Sequence, residues 1–573
     1  MHAAGKIDEA AVIFDSILSL APGHIDANYR RGLIDHQRGL HAEAIAKFEK
    51  ILPEMGEGDQ FTFNYGTVLL ALGYPKLAAV QFRKSLNVKP ANPDAWGNLG
   101  IALQHMGEFE AAGGSYIESI RLRPNDVTTI YHLAALYHKC GLTEDAQACF
   151  HQAIRIQPDH PTAYSDALLM GQYSAKDSPE EIFARQQEFA SQFEAPLKKN
   201  WPTHTNDKNP ERRLKIGYVS ADFREHAVAF FLEPIFEHLD HVNFEVFCYY
   251  NHPRNDEFTE RLKACADHWL VCNELSDDAL AEKIRSDSID ILIDLSGHTG
   301  GNRLFTFARK PAPVQVTFIG NPASTGLTAM NYRITDAAQD PFGMTERFHS
   351  ETLIRVPSLL VFKPFADSPP INSLPALTNE SFVFACLNTL VKINSKVVRV
   401  WSVILSNMPN AKLMLSKAGD QGAKNRLFKM FEAEGISADR LLLMPQMPLK
   451  EYLALHHLID MALDCFPWNG YTTTNHSVWM GVPVLSLLGK SALSRSAGAV
   501  MNSLDLAQYV TYSEEEYIQR ALQLASNLPE LNRVRQSLRS RFKGRVNERP
   551  LEVTRYFEAA LRVAWRNWCG PAV

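Results

Sequence analysis

Small, aromatic and aliphatic positions recur with one long period through the first third of the chain. Glycine returns every 34 residues, at Gly5, Gly39, Gly73, Gly107 and Gly141. In phase with it run an alanine column (Ala10, Ala44, Ala78, Ala112, Ala146), an aromatic column (Phe14, Phe48, Phe82, Tyr116, Phe150) and an aliphatic one (Leu18, Leu52, Leu86, Ile120, Ile154). Four columns in register define a structural repeat, each copy a pair of helices. The glycine predicts the end of a first helix and a tight turn. The alanine lets the second helix come close, and the aromatic ring fills the space beside it. Pro90, Pro124 and Pro158 stop the second helix, with Gly56 in that place in the second copy. The chain starts just before Gly5, so the first copy holds only its second helix, as expected of a cut inside a longer array. A helix over 162–171, after Pro161, opens a sixth unit. Such a solenoid offers a concave face to a partner.

After residue 173 the pattern changes. An acidic helix start at Pro179, Glu180 and Glu181 predicts one helix from Asp177 to about Pro196, and the polar stretch Pro202 to Pro210 reads as a linker. From Leu214 short apolar runs alternate with helical patterns. Strands are predicted at 214–220, 244–250, 289–295 and 314–319. After a proline-rich break at 364–375 they resume at 382–387, 411–415, 441–444, 461–465 and 482–487. Alternating strands and helices make parallel sheets covered on both faces. The expected organisation is an α-solenoid over 1–173 and a helical linker over 174–213. A first doubly wound α/β lobe follows over 214–375, then a second over 376–573 that includes a C-terminal helix. Ligands of such lobes bind at the carboxyl ends of the strands.

Composition narrows the function classes. The 573 residues are 46% hydrophobic with a net charge of -6, which argues against nucleic-acid binding by bulk charge. The eight cysteines include no C-x-x-C pair, so neither a disulfide framework nor a zinc site is suggested. No signal peptide opens the chain and no apolar run is long enough to span a bilayer, so a cytoplasmic location without membrane attachment is expected. There is no Asp-x-Asp, no G-x-x-x-x-G-K-[ST] and no G-x-G-x-x-G. A bound diphosphate must then be neutralised by lysine, hydroxyls and a helix start, and no metal or cofactor is expected.

The candidate chemistry lies in loops after strands. Asp464 to Thr474 ends a strand, turns at Gly470 and opens a helix with Thr472, Thr473 and Thr474, followed by His476. Exposed N–H groups plus hydroxyls make an anion site, while a threonine run is also an ordinary helix cap. Lys392, just after the first strand of the second lobe, can meet a phosphate as a point charge or stand solvated. His226, after the first strand of the first lobe, and His298, in the glycine-rich loop 295–301, can each act as a base near neutral pH or serve as structural histidines.

The motifs together resemble a known family. The repeats precede Gly217-Tyr-Val-Ser-x-Asp222-Phe-x-x-His226, Arg309-Lys-Pro-Ala-Pro-Val-Gln315 and Gly320-x-Pro322-x-x-x-Gly326. Then come Asn388-x-x-x-Lys392 and Asn469-Gly-x-Thr472-Thr473, with Trp479-x-Gly-x-Pro483 after it. This order resembles the O-linked N-acetylglucosamine transferases and the SPINDLY-type O-fucosyltransferases. The resemblance implies two lobes in the GT-B arrangement and metal-independent, inverting sugar transfer to serine or threonine of proteins. It implies that Lys392 neutralises the leaving diphosphate and that His226 stands near the acceptor hydroxyl. Donor contacts are implied for Asn388, Thr389, Gln446, Met447, Tyr452, Gly470, Tyr471, Thr472, Thr473, Thr474 and His476. The sugar and acceptor cleft would hold Asp222, His298, Thr299, Gly320 and Pro322.

Some positions depart from the family pattern. His476 falls where the animal enzyme has an aspartate that meets the ribose, and Tyr452 and Tyr471 replace histidines. The column Arg30, Asn64, Asn98, His132, Asp166 corresponds to asparagines that hold peptide acceptors, which puts Asn64 and Asn98 in an acceptor groove. UDP-N-acetylglucosamine is the expected donor. GDP-fucose is the alternative, since Gly297-His-Thr299 and Tyr332-Arg-Ile-Thr-Asp336 resemble the SPINDLY type. A scaffold without catalysis is a third reading, opposed by intact Lys392, His226 and the threonine run.

Overall fold

The structure, a computed structural model, describes residues 7–56, 58–418 and 421–570; the Gly5 turn lies outside the described residues. The chain divides into two compact units, Met1–Pro158 and Asp159–Val573.

The first unit is a run of helix pairs from Ile7–Leu20 to Thr143–Ile156. Gly39, Gly73, Gly107 and Gly141 close the first helix of their pairs at φ of +76°, +79°, +78° and +74°, a conformation costly for any residue with a Cβ. Ala44, Ala78, Ala112 and Ala146 are fully buried, as are Phe48, Phe82 and Tyr116. A further column explains the tight packing. A Cβ at Gly32, Gly66 or Gly100 would lie 2.5, 2.8 or 2.5 Å from the ring of Phe48, Phe82 or Tyr116, so glycine makes room for the aromatic. The amides of Asn64 and Asn98 lie between neighbouring first helices. Asn64 Nδ2 donates to Tyr29 Oη at 2.5 Å and Asn98 Nδ2 to Thr67 Oγ1 at 3.4 Å.

The second unit corrects the expected boundaries in three places. The helix after Pro161, Pro161–Tyr173, belongs to this unit: Leu168 joins a core with Val219 and Phe247 of the first sheet. The helix Pro179–Phe193, opened by a Ser178/Glu181 capping box, is a packed cap rather than a linker. Phe189 and Ala190 are buried in the same core, and the buried Glu194 accepts the N–H groups of Thr328 and Ala329. The polar stretch that follows is also tied down, with Trp201 Nε1 donating to Ala308 O and Asn206 Nδ2 to Asp290 Oδ1.

The first sheet has seven strands: β1 (Leu214–Ser220), β2 (Phe244–Tyr250), β3 (His268–Val271), β4 (Ile291–Asp294), β5 (Val314–Thr317), β6 (Tyr332–Asp336) and β7 (Thr352–Val356). They run in the order β3-β2-β1-β4-β5-β6-β7, with all pairings parallel. The second sheet has β8 (Val383–Cys386), β9 (Lys412–Leu415), β10 (Leu441–Leu443), β11 (Met461–Leu463), β12 (Val484–Leu487) and β13 (Val510–Thr511). Its order is β10-β9-β8-β11-β12-β13, also parallel. Both sheets are doubly wound, as expected. In each the order reverses beside the first strand, between β1 and β4 and between β8 and β11, and a crevice opens there.

The final helix, Pro550–Cys569, was expected with the second lobe and packs instead on the first. Its apolar stripe Val553, Phe557, Ala560, Leu561, Ala564 and Trp565 packs against the helix Ala229–Phe236 and strands β5, β6 and β7, in the core that β1 and β4 also share. Glu558 Oε1 accepts the N–H of Asp240 at 2.8 Å. Each large side chain buried here contributes about 1.5–3 kcal/mol.

Candidate active site

The two crevices face each other across a cleft of about 600 Å³. From the first lobe, the turn after β1 supplies Asp222 and His226. Asp222 is nearly buried, and its Oδ2 lies 3.5 Å from His226 Nδ1, whose ring keeps an edge open to the cleft. Burial raises the Asp222 carboxyl, against the pull of His226 and Arg224. Burial lowers the His226 imidazole, against the pull of Asp222. The ring is therefore neutral at physiological pH and able to take a proton.

The loop after β4 is anchored by Asp294, whose carboxylate accepts the N–H groups of Ser296 and Gly297 and the hydroxyl of Thr317. Burial pushes this carboxyl up to about 6. Thr299 lines the cleft. His298, one residue earlier, does not: it is fully buried. Its Nδ1 pairs with Ser165 Oγ and its Nε2 with the Thr325 carbonyl, each at 2.9 Å, and Phe189 meets the ring edge-on. With both nitrogens occupied and burial pushing its pKa to about 4, His298 is a structural histidine, which corrects its expected place in the cleft. After β5, Gly320 and Pro322 line the cleft. A Cβ at Gly320 would lie 2.3 Å from the Leu295 carbonyl oxygen, so the turn can press on the β4 loop only as glycine.

The second lobe supplies a cationic site. Lys392, in the turn after β8, donates from Nζ to the Asn469 carbonyl at 2.8 Å and sits 5.1 Å from the Trp468 ring centroid. Burial lowers its pKa, and Asp464 opposes the shift. Asp464, just after β11, accepts the N–H of Gly470 at 2.8 Å and the side chain of Asn388 at 3.2 Å. Burial pushes it to about 7. Asn388 Oδ1 in turn accepts Thr473 Oγ1 at 2.9 Å. The helix Thr472–Trp479 starts here with no side-chain cap on its first N–H groups, which leaves them for an anion.

Most of the remaining expected donor contacts line the cleft, namely Thr389, Gln446, Met447, Tyr452, Tyr471, Thr472, Thr473 and His476. Gly470 and Thr474 do not. Gly470 faces Asp464 and the Thr473 hydroxyl, and the Thr474 hydroxyl turns back onto the Gly470 carbonyl. Tyr471 stacks on Phe231 of the first lobe with centroids 4.6 Å apart. Tyr452 Oη, His476 Nε2 and Ser416 Oγ are buried without a hydrogen-bond partner among the described residues, which marks them for a ligand. Burial and His456 push His476 down to about 3, so the imidazole is neutral.

The sequence reading missed Lys417, Ser416, Trp468 and Arg333 in the cleft lining. Lys417 follows β9 at a φ of +63°, and burial lowers its pKa. Its position after a strand was the available signal. Among the described residues no group of three or more His, Cys, Asp or Glu side chains could hold a metal ion, and no helix is long and apolar enough to cross a membrane.

Known proteins share this architecture. The sequence profile of Glycosyl transferase family 41 matches residues 179–362 and 372–559, and tetratricopeptide repeat profiles match 3–59, 93–126 and 127–160. A tomato (Solanum lycopersicum) protein described as probable UDP-N-acetylglucosamine–peptide N-acetylglucosaminyltransferase SPINDLY is 33% identical over 426 residues, 72% of this chain and 45% of its own. The Arabidopsis thaliana protein SEC, of the same description, is 33% identical over 57% of this chain and 35% of its own. The matched stretch thus spans less than half the length of these relatives. A solved structure of a Thermobaculum terrenum O-GlcNAc transferase mutant superposes with a TM-score of 0.80 at 33% identity, covering 89% of this chain and 98% of that one. With helical repeats ahead of two doubly wound lobes and the family profile running through both lobes, the chain belongs to glycosyl transferase family 41 and carries tetratricopeptide repeats.

Proposed function

We propose that this chain transfers N-acetylglucosamine from UDP-N-acetylglucosamine to serine or threonine hydroxyls of protein acceptors, in one inverting displacement without a metal. The observation that carries the reading is the convergence of a neutral imidazole from one lobe and a lysine beside an uncapped helix start from the other, on a single cleft. Lys392 and the first N–H groups of Thr472–Trp479 hold the diphosphate and take up the charge that grows on it as the glycosidic bond breaks. His226 takes the acceptor proton from the opposite wall. Tyr452, His476 and Ser416 offer the unpartnered polar atoms for the nucleoside, and Gly320–Pro322 faces the sugar. The repeats hold the acceptor protein in their groove.

GDP-fucose is the second reading, favoured by the SPINDLY-like segments 297–299 and 332–336. Calorimetry with UDP and GDP, followed by transfer assays with each sugar nucleotide, separates the two. Tight GDP binding with fucose transfer would replace the first reading. Activity abolished by EDTA and restored by manganese would overturn the metal-free mechanism, and a retained anomeric configuration would overturn the single displacement.

A further inference from the structure

Behind the Gly320–Gly326 loop lies a chain of buried charges that the transfer mechanism does not use. Arg333, on β6 and 4% exposed, donates from Nη1 to the Asn321 carbonyl at 3.2 Å. Its Nε lies 3.5 Å from Asp340 Oδ2. His349 follows, its side chain 3% exposed, with Nε2 at 3.4 Å from Asp340 Oδ1 and Nδ1 at 3.7 Å from Glu351 Oε2. Glu351 then holds the far end of the loop, accepting Ser324 Oγ at 2.7 Å and the Thr325 N–H at 2.7 Å. One loop is thus gripped at Asn321 by a cation and at Ser324 and Thr325 by a carboxylate, and His349 links the two grips.

Only one protonation state of His349 suits this arrangement. Each ring nitrogen lies at ion-pair distance from a carboxylate, with no hydrogen bond made by Nδ1 among the described residues, and a neutral imidazole carries a proton toward only one of them. Asp340 and Glu351 balance Arg333 and His349 when the ring carries its charge; a neutral ring leaves a buried negative charge in excess. The other neighbours do not supply the balance. Arg495, bonded to the Ala338 and Gly489 carbonyls, adds a cation in the field of Asp340, but Asp294 adds a carboxyl in the field of Glu351, and Arg355, which donates to the Asp340 carbonyl, is paired with Glu346. Beside His349, the helix Pro179–Phe193 offers the uncharged Ile182, Phe183 and Gln186. The neighbouring Arg347 is turned outward onto Glu180.

We infer that His349 is a positioning residue for sugar transfer: as an imidazolium between Asp340 and Glu351 it locks the Gly320–Pro322 turn against the donor sugar. The inference rests on the transfer reading above. Its two carboxylates raise the His349 pKa over the opposing effect of burial, and Glu351 is held down at about 2. The locked state is therefore complete at low pH and is lost as pH rises through the raised imidazole value.

The test compares pH profiles of kcat and KM for the wild type, H349Q and E351Q, together with calorimetric affinity for the bare nucleoside diphosphate. The wild type should lose kcat on the alkaline side with the slope of one proton. E351Q, which keeps an oxygen acceptor for Thr325, should move that limb to lower pH by about 1 unit. H349Q should erase the limb and lower kcat roughly 10- to 100-fold by misplacing the turn. Affinity for the bare diphosphate, held by the second lobe, should stay the same in all three. An alkaline limb in the same place in E351Q, or none in the wild type, overturns the inference, and E351Q decides alone if H349Q does not fold. A wild type that binds nucleotide yet moves no sugar defeats the transfer reading and this inference with it. One that transfers sugar with an unmoved limb defeats the inference only.

Discussion

The two lobes solve one structural problem with the same residue and then diverge. At each reversal of strand order an aspartate follows or ends the fourth strand in sequence, Asp294 in the first lobe and Asp464 in the second. Each is buried and each accepts a glycine N–H of the loop it precedes, from Gly297 and from Gly470. Burial pushes both upward, to about 6 and about 7. In the second lobe the aspartate also faces Lys392 and orients Asn388, so the crevice becomes an anion site. In the first lobe its remaining partners are neutral, the Ser296 N–H and the Thr317 hydroxyl. The His226 imidazole comes from the neighbouring turn, and in the proposed reaction this crevice serves proton transfer. One anchor supports two chemistries because the residue placed beside it differs.

The contrast breaks most sharply at the two functional side chains. His226→Ala should lower turnover by about 10²–10⁴-fold, the usual weight of a general base, while calorimetric nucleotide affinity survives. Comparable loss of nucleotide binding would place His226 on the wrong side of the division. Lys392→Ala should lower kcat about 10²–10³-fold, or roughly 2.7–4 kcal/mol, with a smaller change in donor affinity, because the charge it meets is largest in the transition state. An unchanged kcat with only a raised donor KM would remove it from that role.

The anchors themselves give a smaller, pH-dependent effect. Both folded-state values lie above the ordinary carboxylate value near 3.9, so each group binds its proton more tightly folded than unfolded. The stability this contributes is present below about pH 4. It is lost as pH rises through about 6 for Asp294 and about 7 for Asp464, on the order of 3 and 4 kcal/mol respectively. Asp294→Asn and Asp464→Asn should flatten the fall of Tm over those two windows separately. Equal pH profiles for wild type and variants would show that the carboxyls are not strained by burial.

The smallest effect is expected in the repeats. Replacing Asn64 and Asn98 together by alanine should weaken turnover of long protein acceptors several-fold, about 1 kcal/mol for a lost hydrogen bond. Nucleotide affinity should not change. Equal turnover of long acceptors by the double variant would remove these amides from acceptor binding.

Legibility in the sequence followed apolar character. The strands read correctly are mostly apolar, such as 214–220 and 244–250, which are buried apart from Lys215 and Glu245 near their starts. Those missed carry charge or sit at the margin: Tyr332–Asp336 is buried but contains Arg333 and Asp336, His268–Val271 is a partly exposed edge strand, Thr352–Val356 contains Arg355 and is half-buried, and Val510–Thr511 has two residues. In the site, position after a strand was readable and side-chain direction was not. His226 and His298 both follow strands of the first lobe, and only the packing of Ser165, Phe189 and the Thr325 carbonyl decides that His298 points inward. Lys417 sits in an unremarkable Ser-Lys-Ala context, and only its placement in the cleft wall singles it out.

The return of Pro550–Cys569 to the first lobe has a consequence for biosynthesis. Proteins generally acquire structure as they leave the ribosome, earlier regions first. Here the hydrophobic floor under β5, β6 and β7 is sealed by Phe557, Leu561 and Trp565, which emerge more than 340 residues after Leu214. The nascent first lobe therefore waits with that surface open while the whole second lobe is made. The first lobe thus completes its core only after the second has been made, and a stop codon ahead of residue 550 would damage a lobe whose first strand begins at Leu214.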